Sequence, residues 1–190
     1  MFKYFIFISL FLTFNLSAEI VKRMEVKGND RISKETIKVY GQINLNEDYS
    51  NIDVNNVLKN LFKTEFFEDI KISLDSGVLN INVKEYASIN IIDIEGEKSK
   101  TIKEKVLEQL TLQNKESFIE SKLTDDINLI KKIYATMGFN FASVEAKVQK
   151  FSDNRINLTF FLDKEKKTDI AKIYFTGDKK VKEKRLIDII

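Results

Sequence analysis

The sequence predicts an α+β protein built from tandem β-α-α-β-β modules, and three observations predict it. One short design occurs three times, in Ile20 to Gly28 (IVKRMEVKG), Ile89 to Gly96 (INIIDIEG) and Ile170 to Gly177 (IAKIYFTG). Each is an extended run with apolar residues two and four positions before a closing glycine: Val26 and Met24, Ile94 and Ile92, Phe175 and Ile173. That spacing turns one face of a strand toward a core, and the glycine permits the positive φ of the turn that follows. Second, a polar turn and a helical pattern follow each glycine. Third, the first two helical regions give way to strict alternation of apolar and polar residues. The glycines stand 68 and 81 residues apart, which marks a repeated unit.

In the first module, residues 19–86, Ile20 to Val26 reads as the opening strand. Gly28-Asn29-Asp30 is a turn signal, Ser33 is suited to cap a helix running to about Tyr40, and Gly41 ends it. Asp53 is suited to cap a second helix, in which Val54, Val57, Leu58, Leu61 and Phe62 form one apolar stripe. After Phe66-Phe67 the period becomes two. Ile70, Ile72 and Leu74 alternate with Lys71, Ser73 and Asp75, Asp75-Ser76-Gly77 turns the chain, and Leu79, Ile81 and Val83 alternate back.

The second module, residues 87–164, repeats the order. Ile89 to Ile94 opens it, Thr101 to Glu104 has capping-box form, and Ile102, Val106 and Leu110 give the first helix its apolar face. Thr124 is suited to cap the second helix, whose stripe is Ile127, Ile130, Ile133, Tyr134 and Met137, closed by Gly138. Ala142, Val144, Ala146 and Val148 alternate, Asp153-Asn154 turns, and Ile156, Leu158, Phe160 and Leu162 return. Asp163 to Thr168 reads as a charged linker. Residues 165–190 begin a third module, with Val181, Leu186, Ile187 and Ile190 as its helix's core positions. A half-module cannot bury that face alone, so the natural protein is expected to continue.

Residues 1–18 read as a signal peptide. Lys3 precedes the apolar run Tyr4 to Leu16, which is shorter than the roughly 20 residues that span a bilayer. Ser17-Ala18 supplies small residues for cleavage before Glu19. Leu16 departs from the small-residue rule, and an uncleaved anchor is the alternative.

Composition excludes several function classes. The 190 residues carry 31 Lys and Arg against 29 Asp and Glu, a balance that gives no polyanion-binding surface and no nucleic-acid partner. There is no cysteine, histidine, tryptophan or proline. The chain therefore lacks the means for a disulfide, the usual zinc site, a Ser-His-Asp triad or a Cys-His pair. All six glycines are assigned to strand ends, a hairpin and helix ends, and no Walker or GxGxxG pattern exists. No catalytic residue, cofactor or metal is expected.

The ordered set of pieces resembles the POTRA repeats of BamA-type outer-membrane protein assembly factors. Met24-Glu25-Val26-Lys27-Gly28-Asn29 resembles the family's strand-then-Gly-Asn start. Ile133 to Phe139 (IYATMGF) resembles its second-helix ending, and Asp75 to Val83 (DSGVLNINV) its closing hairpin. The resemblance covers residues 20–190. Phe66 stands where the family places a glycine, Glu97 and Asp178 stand where it places asparagine, and the family's inter-module proline is missing. The resemblance implies modules with a three-stranded mixed sheet covered on one face by two helices. It further implies a periplasmic scaffold that docks accessory assembly lipoproteins and passes unfolded outer-membrane precursors to a barrel absent from this chain.

The candidate site is a pair of sheet edges. In POTRA-like modules the second strand lies at an edge, which here implicates Phe67 to Leu74 and Phe141 to Val148. The partner-binding candidates are Phe67, Ile70, Lys71, Ile72, Ser73 and Leu74 in one, and Phe141, Ser143, Val144, Glu145, Ala146, Lys147 and Val148 in the other. An edge offers unpaired N–H and C=O groups to an incoming extended chain. Charges such as Lys71, Glu145 and Lys147 also blunt unwanted pairing, so a merely protected edge is the plainer reading. Lys179 to Arg185 reads as a solvated helix face. Phe66, Phe67, Phe139 and Phe141 read as core at helix-to-strand junctions. Glu65, Glu68 and Asp69 read as surface acids without a cleft for hydrolysis. Two-partner secretion pores and an anchored division scaffold carry similar modules, and a small periplasmic enzyme is the rival from another class.

Overall fold

The computed structural model describes residues 18–169 and 171–176, together with Lys182 and Arg185. They fall into two compact units, the first ending at Tyr86 and the second beginning at Ala87. The expected signal peptide, apart from Ala18, and the expected third-module helix lie outside the described residues.

The first unit runs β1 (Glu19–Ile20), β2 (Arg23–Lys27), α1 (Lys34–Tyr40), β3 (Asp48–Tyr49), α2 (Asn51–Phe62), β4 (Phe67–Asp75) and β5 (Val78–Glu85). Its main sheet has the order β2-β5-β4, with β2 parallel to β5 and β4 antiparallel to it. The opening strand is therefore broken rather than continuous from Ile20 to Val26. The break has a backbone cause: β1 pairs with β3, whereas Lys22 and Arg23 donate their N–H groups to the Gly77 carbonyl and carry the chain onto β5. At the break, Val21 is fully buried and exchanges hydrogen bonds with Glu47 and Asn46.

The second unit runs β6 (Ser88–Glu95), α3 (Lys100–Leu107), α4 (Glu120–Thr136), β7 (Ser143–Lys150) and β8 (Arg155–Asp163). Its sheet has the order β6-β8-β7, again with a parallel and an antiparallel pairing. The break-point contact recurs too. Ile89 donates to Glu116 and accepts from Lys115, as Val21 does with Glu47 and Asn46. Asn46 and Lys115 both adopt positive φ, 68° and 71°.

Each helix pair covers one sheet face. Ile37, Val57 and Leu61 pack with Met24, Ile70, Leu79, Ile81 and Val83. In the second unit Val106, Ile130 and Tyr134 pack with Ile92, Ile94, Val144, Ile156, Leu158, Phe160 and Leu162. The alternation read from the sequence thus selects the inward residues of both hairpins. Five helix details differ from expectation. Leu110, expected on the apolar face of the second module's first helix, is buried but lies beyond α3, which ends at Leu107. Ser50, not Asp53, caps α2, and Asp53 returns a bond to the Ser50 N–H as the other half of a capping box. Ser99 caps α3, so Thr101 lies inside it. The fourth helix starts at Glu120, a turn before Thr124, because Leu123 continues the apolar stripe into the core. Phe62 ends its stripe 45% exposed.

Residues 171–176, expected as a third opening strand, form no strand. In both units that strand hydrogen-bonds to the last strand of its own hairpin, and among the described residues 171–176 have no such partner. Ile173 and Phe175 are half-buried while their neighbours are exposed, so the period-2 pattern survives without a ladder.

The closing glycines are fixed by the close approach of strands. Gly28 has φ +81° and Gly96 φ +94°, and a Cβ at either would overlap the carbonyl oxygen of Val83 or Leu162. Gly138 also has positive φ, +92°, but a Cβ there would meet only the Lys167 side chain at 3.5 Å. Gly96→Ala is therefore expected to destabilise the second unit by more than the about 1–3 kcal/mol of backbone strain alone. Gly138→Ala is expected to stay within that range. Urea unfolding followed by circular dichroism measures both, and equal losses would contradict the overlap at Leu162.

Candidate functional site: two sheet edges

In each three-stranded sheet the middle strand is paired on both sides, while the opening strand, β2 or β6, and the hairpin's first strand, β4 or β7, are each paired on one. A strand in that position turns alternate backbone N–H and C=O groups outward. The structure places the predicted residues along these edges with two side-chain environments. Phe67, Ile70 and Val144 are buried, Ile72, Leu74, Ala146 and Val148 half-buried, and Lys71, Ser73, Ser143, Glu145 and Lys147 exposed. The exposed set can present side chains to a partner on the solvent face, the half-buried set can flank it on the other face, and the buried residues contribute backbone. Phe141 differs from expectation, since β7 begins at Ser143 and the Phe141 ring is 73% exposed rather than core. The bond from Ala142 N–H to the Phe139 carbonyl makes a turn there, which holds Phe141 outside the ladder.

The two edges differ locally. β4 has a register shift between Phe67 and Asp69, where a bulge interrupts the ladder with β5. Its exposed charges are answered within the unit: Lys84 meets Glu68 at 2.7 Å and Lys71 meets Asp69 at 3.7 Å. The hydrogen bond and charge of Glu68 push the Lys84 ammonium above its ordinary value. The acids grouped in the sequence as Glu65, Glu68 and Asp69 thus make no carboxylate pair poised for proton transfer. In contrast, β7 pairs with β8 in unbroken register from Ser143 to Lys150.

Three carboxylates with buried side chains, whose contacts the sequence reading missed, hold the loops that flank these sheets. Glu85 continues the inward period of Leu79, Ile81 and Val83. Its carboxylate accepts the backbone N–H groups of Asp30, Arg31 and Ile32 at 2.9–3.1 Å, which ties the turn after Gly28 to the end of β5. A charged residue at an inward-facing position was the available signal. Asp126, fully buried on α4, accepts from the Thr111 N–H and hydroxyl and from the Leu112 N–H, at 2.7–2.9 Å.

The third, Glu97, holds the place after the closing glycine that Asn29 holds in the first unit. Asn29 follows Gly28 and uses its side-chain amide to reach the Ile32 carbonyl. Glu97 follows Gly96 and accepts from the Ser99 N–H, the Tyr134 hydroxyl and Lys164 at 2.8, 2.8 and 3.2 Å. Lys164 follows Leu162 as Glu85 follows Val83, so the second unit carries opposite charge at the equivalent position. Burial pushes the Glu97 carboxyl up, but these three donors outweigh it and hold its pKa below the ordinary value. Burial, with the Glu97 bond, pushes the Tyr134 phenol up.

Among the described residues no cluster of His, Cys, Asp or Glu could hold a metal, and no helix is long and apolar enough to cross a membrane. Among the described residues two concavities bear on the edges and the acids. That in the first unit, about 230 Å³, is lined by Glu47, Asp48 and Asp53 among others, but Asp53 is committed to Ser50 and its pKa is lowered, the reverse of a general acid. That in the second unit, about 420 Å³, is lined by Phe141, Glu165, Lys166, Lys167 and Thr168.

Residues 87–165 match the POTRA family, described as a surface antigen variable number repeat. Over 170 residues the chain is 25% identical to the outer membrane protein assembly factor BamA of Neisseria meningitidis serogroup B, covering 88% of this chain and 21% of that protein. The BamA of Neorickettsia risticii is 19% identical, covering 89% of this chain and 23% of the relative. The chain thus spans about a fifth of the length of the curated relatives it matches. Solved structures similar to it include the N-terminal domain of Omp85 from Thermosynechococcus elongatus, at 17% identity and TM-score 0.49 over 76% of this chain and 63% of that one. Another is POTRA3-5 of Haemophilus influenzae BamA, at 16% identity and TM-score 0.39 over 90% and 76%.

The Glu97 contact gives a pH prediction. A carboxyl with a depressed folded pKa contributes stability that is present above its unfolded value and lost as pH falls through the folded one. Glu97→Gln is expected to cost about 1–3 kcal/mol at neutral pH by leaving the Lys164 ammonium half-buried and without its counter-charge. The gap should close as pH falls below 4.5, the ordinary carboxyl value. Denaturant midpoints measured from neutral pH to about pH 3 check this, and a gap independent of pH would refute it.

Proposed function

We propose that this chain, whose residues 87–165 are a POTRA domain, is the periplasmic scaffold and client-binding region of an outer-membrane β-barrel protein assembly factor. It would be exported across the inner membrane and face the periplasm. Unfolded barrel precursors would pair with its edge strands, and accessory assembly lipoproteins would dock on the same array. The observation that carries the reading is the strand order β2-β5-β4 and β6-β8-β7, which leaves the hairpin's first strand open in both units. Similarity to BamA over 88% of the chain supports the assembly context. The chemistry proposed is hydrogen bonding rather than catalysis, in keeping with a chain that has neither histidine nor cysteine.

Magnitudes favour weak and repeated contact. About four main-chain hydrogen bonds at roughly 0.5–1.5 kcal/mol each give about 2–6 kcal/mol. Association costs on the order of 4–15 kcal/mol before any affinity is visible. One edge alone would hold a client briefly, and tandem edges on one chain would add through effective concentration. Brief holding suits transfer, because a tightly held precursor could not move on. Backbone pairing also reads side chains loosely, which suits many different clients.

The test is site-specific photo-crosslinking in the full chain, with the probe at Ser73 or Glu145 on the open edges and at Lys38 on α1 as a comparison. Unfolded barrel precursors are expected to crosslink from the edge positions several-fold more than from Lys38. Equal yields from all three would contradict edge pairing.

A further inference from the structure

We infer that the two edges are not equivalent: the β7 edge of the second unit takes extended segments bearing acidic side chains, and the β4 edge of the first unit does not. This rests on the pairing reading above and names the partner chemistry for one edge. The first observation is geometric. β7 is in register with β8 at every residue from Ser143 to Lys150, whereas a bulge between Phe67 and Asp69 confines the regular register of β4 to Asp69–Asp75. Bulges turn an edge away from pairing and are a common means of protecting it.

The second observation is charge. Along β4 the exposed acids Glu68, Asp69 and Asp75 outnumber the exposed base Lys71, and Lys84, Lys71 and Ser73 already contact those acids. An acidic segment laid beside β4 would meet like charge. On the solvent face of β7 the base Lys147 balances the acid Glu145, and Lys150 adds a second exposed base at the strand's end, on the row of Ala146 and Val148. No acidic side chain pairs with Lys147, Lys150 or Lys166 among the described residues. At the start of β7 the concavity of about 420 Å³ adds Lys166 and Lys167 against Glu165, beside the exposed ring of Phe141.

An incoming strand beside β7 would alternate in the same way as its neighbour. On one face its side chains would lie next to Glu145, Lys147 and Gln149, where an acid opposite Lys147 gains a cross-strand ion pair. On the other face they would extend the half-buried row of Ala146 and Val148, which favours apolar residues. Beside Phe141, two residues before β7, an acid could reach Lys166 and an apolar group could cover the ring. The partner is thus a period-2 segment, apolar on one face and acidic on the other, a pattern that a barrel strand with an acidic lumen-facing row would present.

The test uses blocked synthetic peptides of about nine residues, the length of a barrel strand, with valine alternating with glutamate, lysine or glutamine. Each is titrated into the isotopically labelled full chain, and amide shifts are followed by NMR. The glutamate peptide is expected to shift amides of Ser143 to Lys150 and to bind about fivefold more tightly than the lysine peptide, a preference lost in the K147E/K166E chain. Equal binding of glutamate and lysine peptides at β7 would overturn the charge selection while leaving edge pairing intact. Shifts from the glutamate peptide centred on β4 would overturn the assignment of the edge. Concentration-dependent β7 shifts without peptide would make a second copy of this chain the occupant instead. No shifts at either edge with any peptide would bring down the pairing reading and this inference together.

Discussion

The contact on which both units depend is the parallel pairing of the opening strand with the last strand, closed at a glycine that lies against a backbone carbonyl. Gly28 sits on Val83 and Gly96 on Leu162 so closely that no side chain fits between them. This pairing places the last strand in the middle of the sheet, bonded to the opening strand on one side and to its hairpin partner on the other. The hairpin's first strand is then left outermost. The open edge is a consequence of where the opening strand docks, and the two helices complete the unit by covering one face.

The same contact explains why buried carboxylates gather at one end of each sheet. Just past the glycine the chain leaves the ladder with free N–H groups, and Glu85 satisfies those of residues 30–32. In the second unit the analogous turn is held by Glu97, with Lys164 supplying the opposing charge from the equivalent end of the last strand. Two different solutions thus stabilise one backbone shape. The shape is repeated more faithfully than the residues that hold it.

That difference sets what was legible in the sequence. Period-2 rows such as Leu79-Ile81-Val83 and Ile156-Leu158-Phe160-Leu162 bury as read, because one buried face leaves a strand no alternative register. The stripes around Leu61 and Tyr134 were legible because a 3.6-residue period turns one face of each helix to the core. Helix starts were less so: Asp53 and Thr101 have capping side chains, but Ser50 and Ser99 lie a few residues earlier, and only tertiary packing selects among such candidates. The short β1–β3 pairing, Val21's exchange with Glu47 and the roles of Glu85 and Asp126 join residues far apart in the chain. Local pattern names no partner for any of these, although the charge of Glu85 at an inward-facing position marked it as a buried group in need of one. The candidate edges were placed by resemblance and found outermost in the sheets, while Phe141 showed that an aromatic beside a strand need not be core.

In the proposed function, backbone groups left without partners in the sheet receive the client, and charge is proposed to select the edge that a given segment approaches. The most direct measurement is residue-resolved amide hydrogen exchange in the free chain. Alternate amides along β4 and β7 should exchange rapidly while every ladder amide of β5 and β8 is protected. Uniform protection along β4 and β7 would mean that the edges are already covered, and would contradict the account.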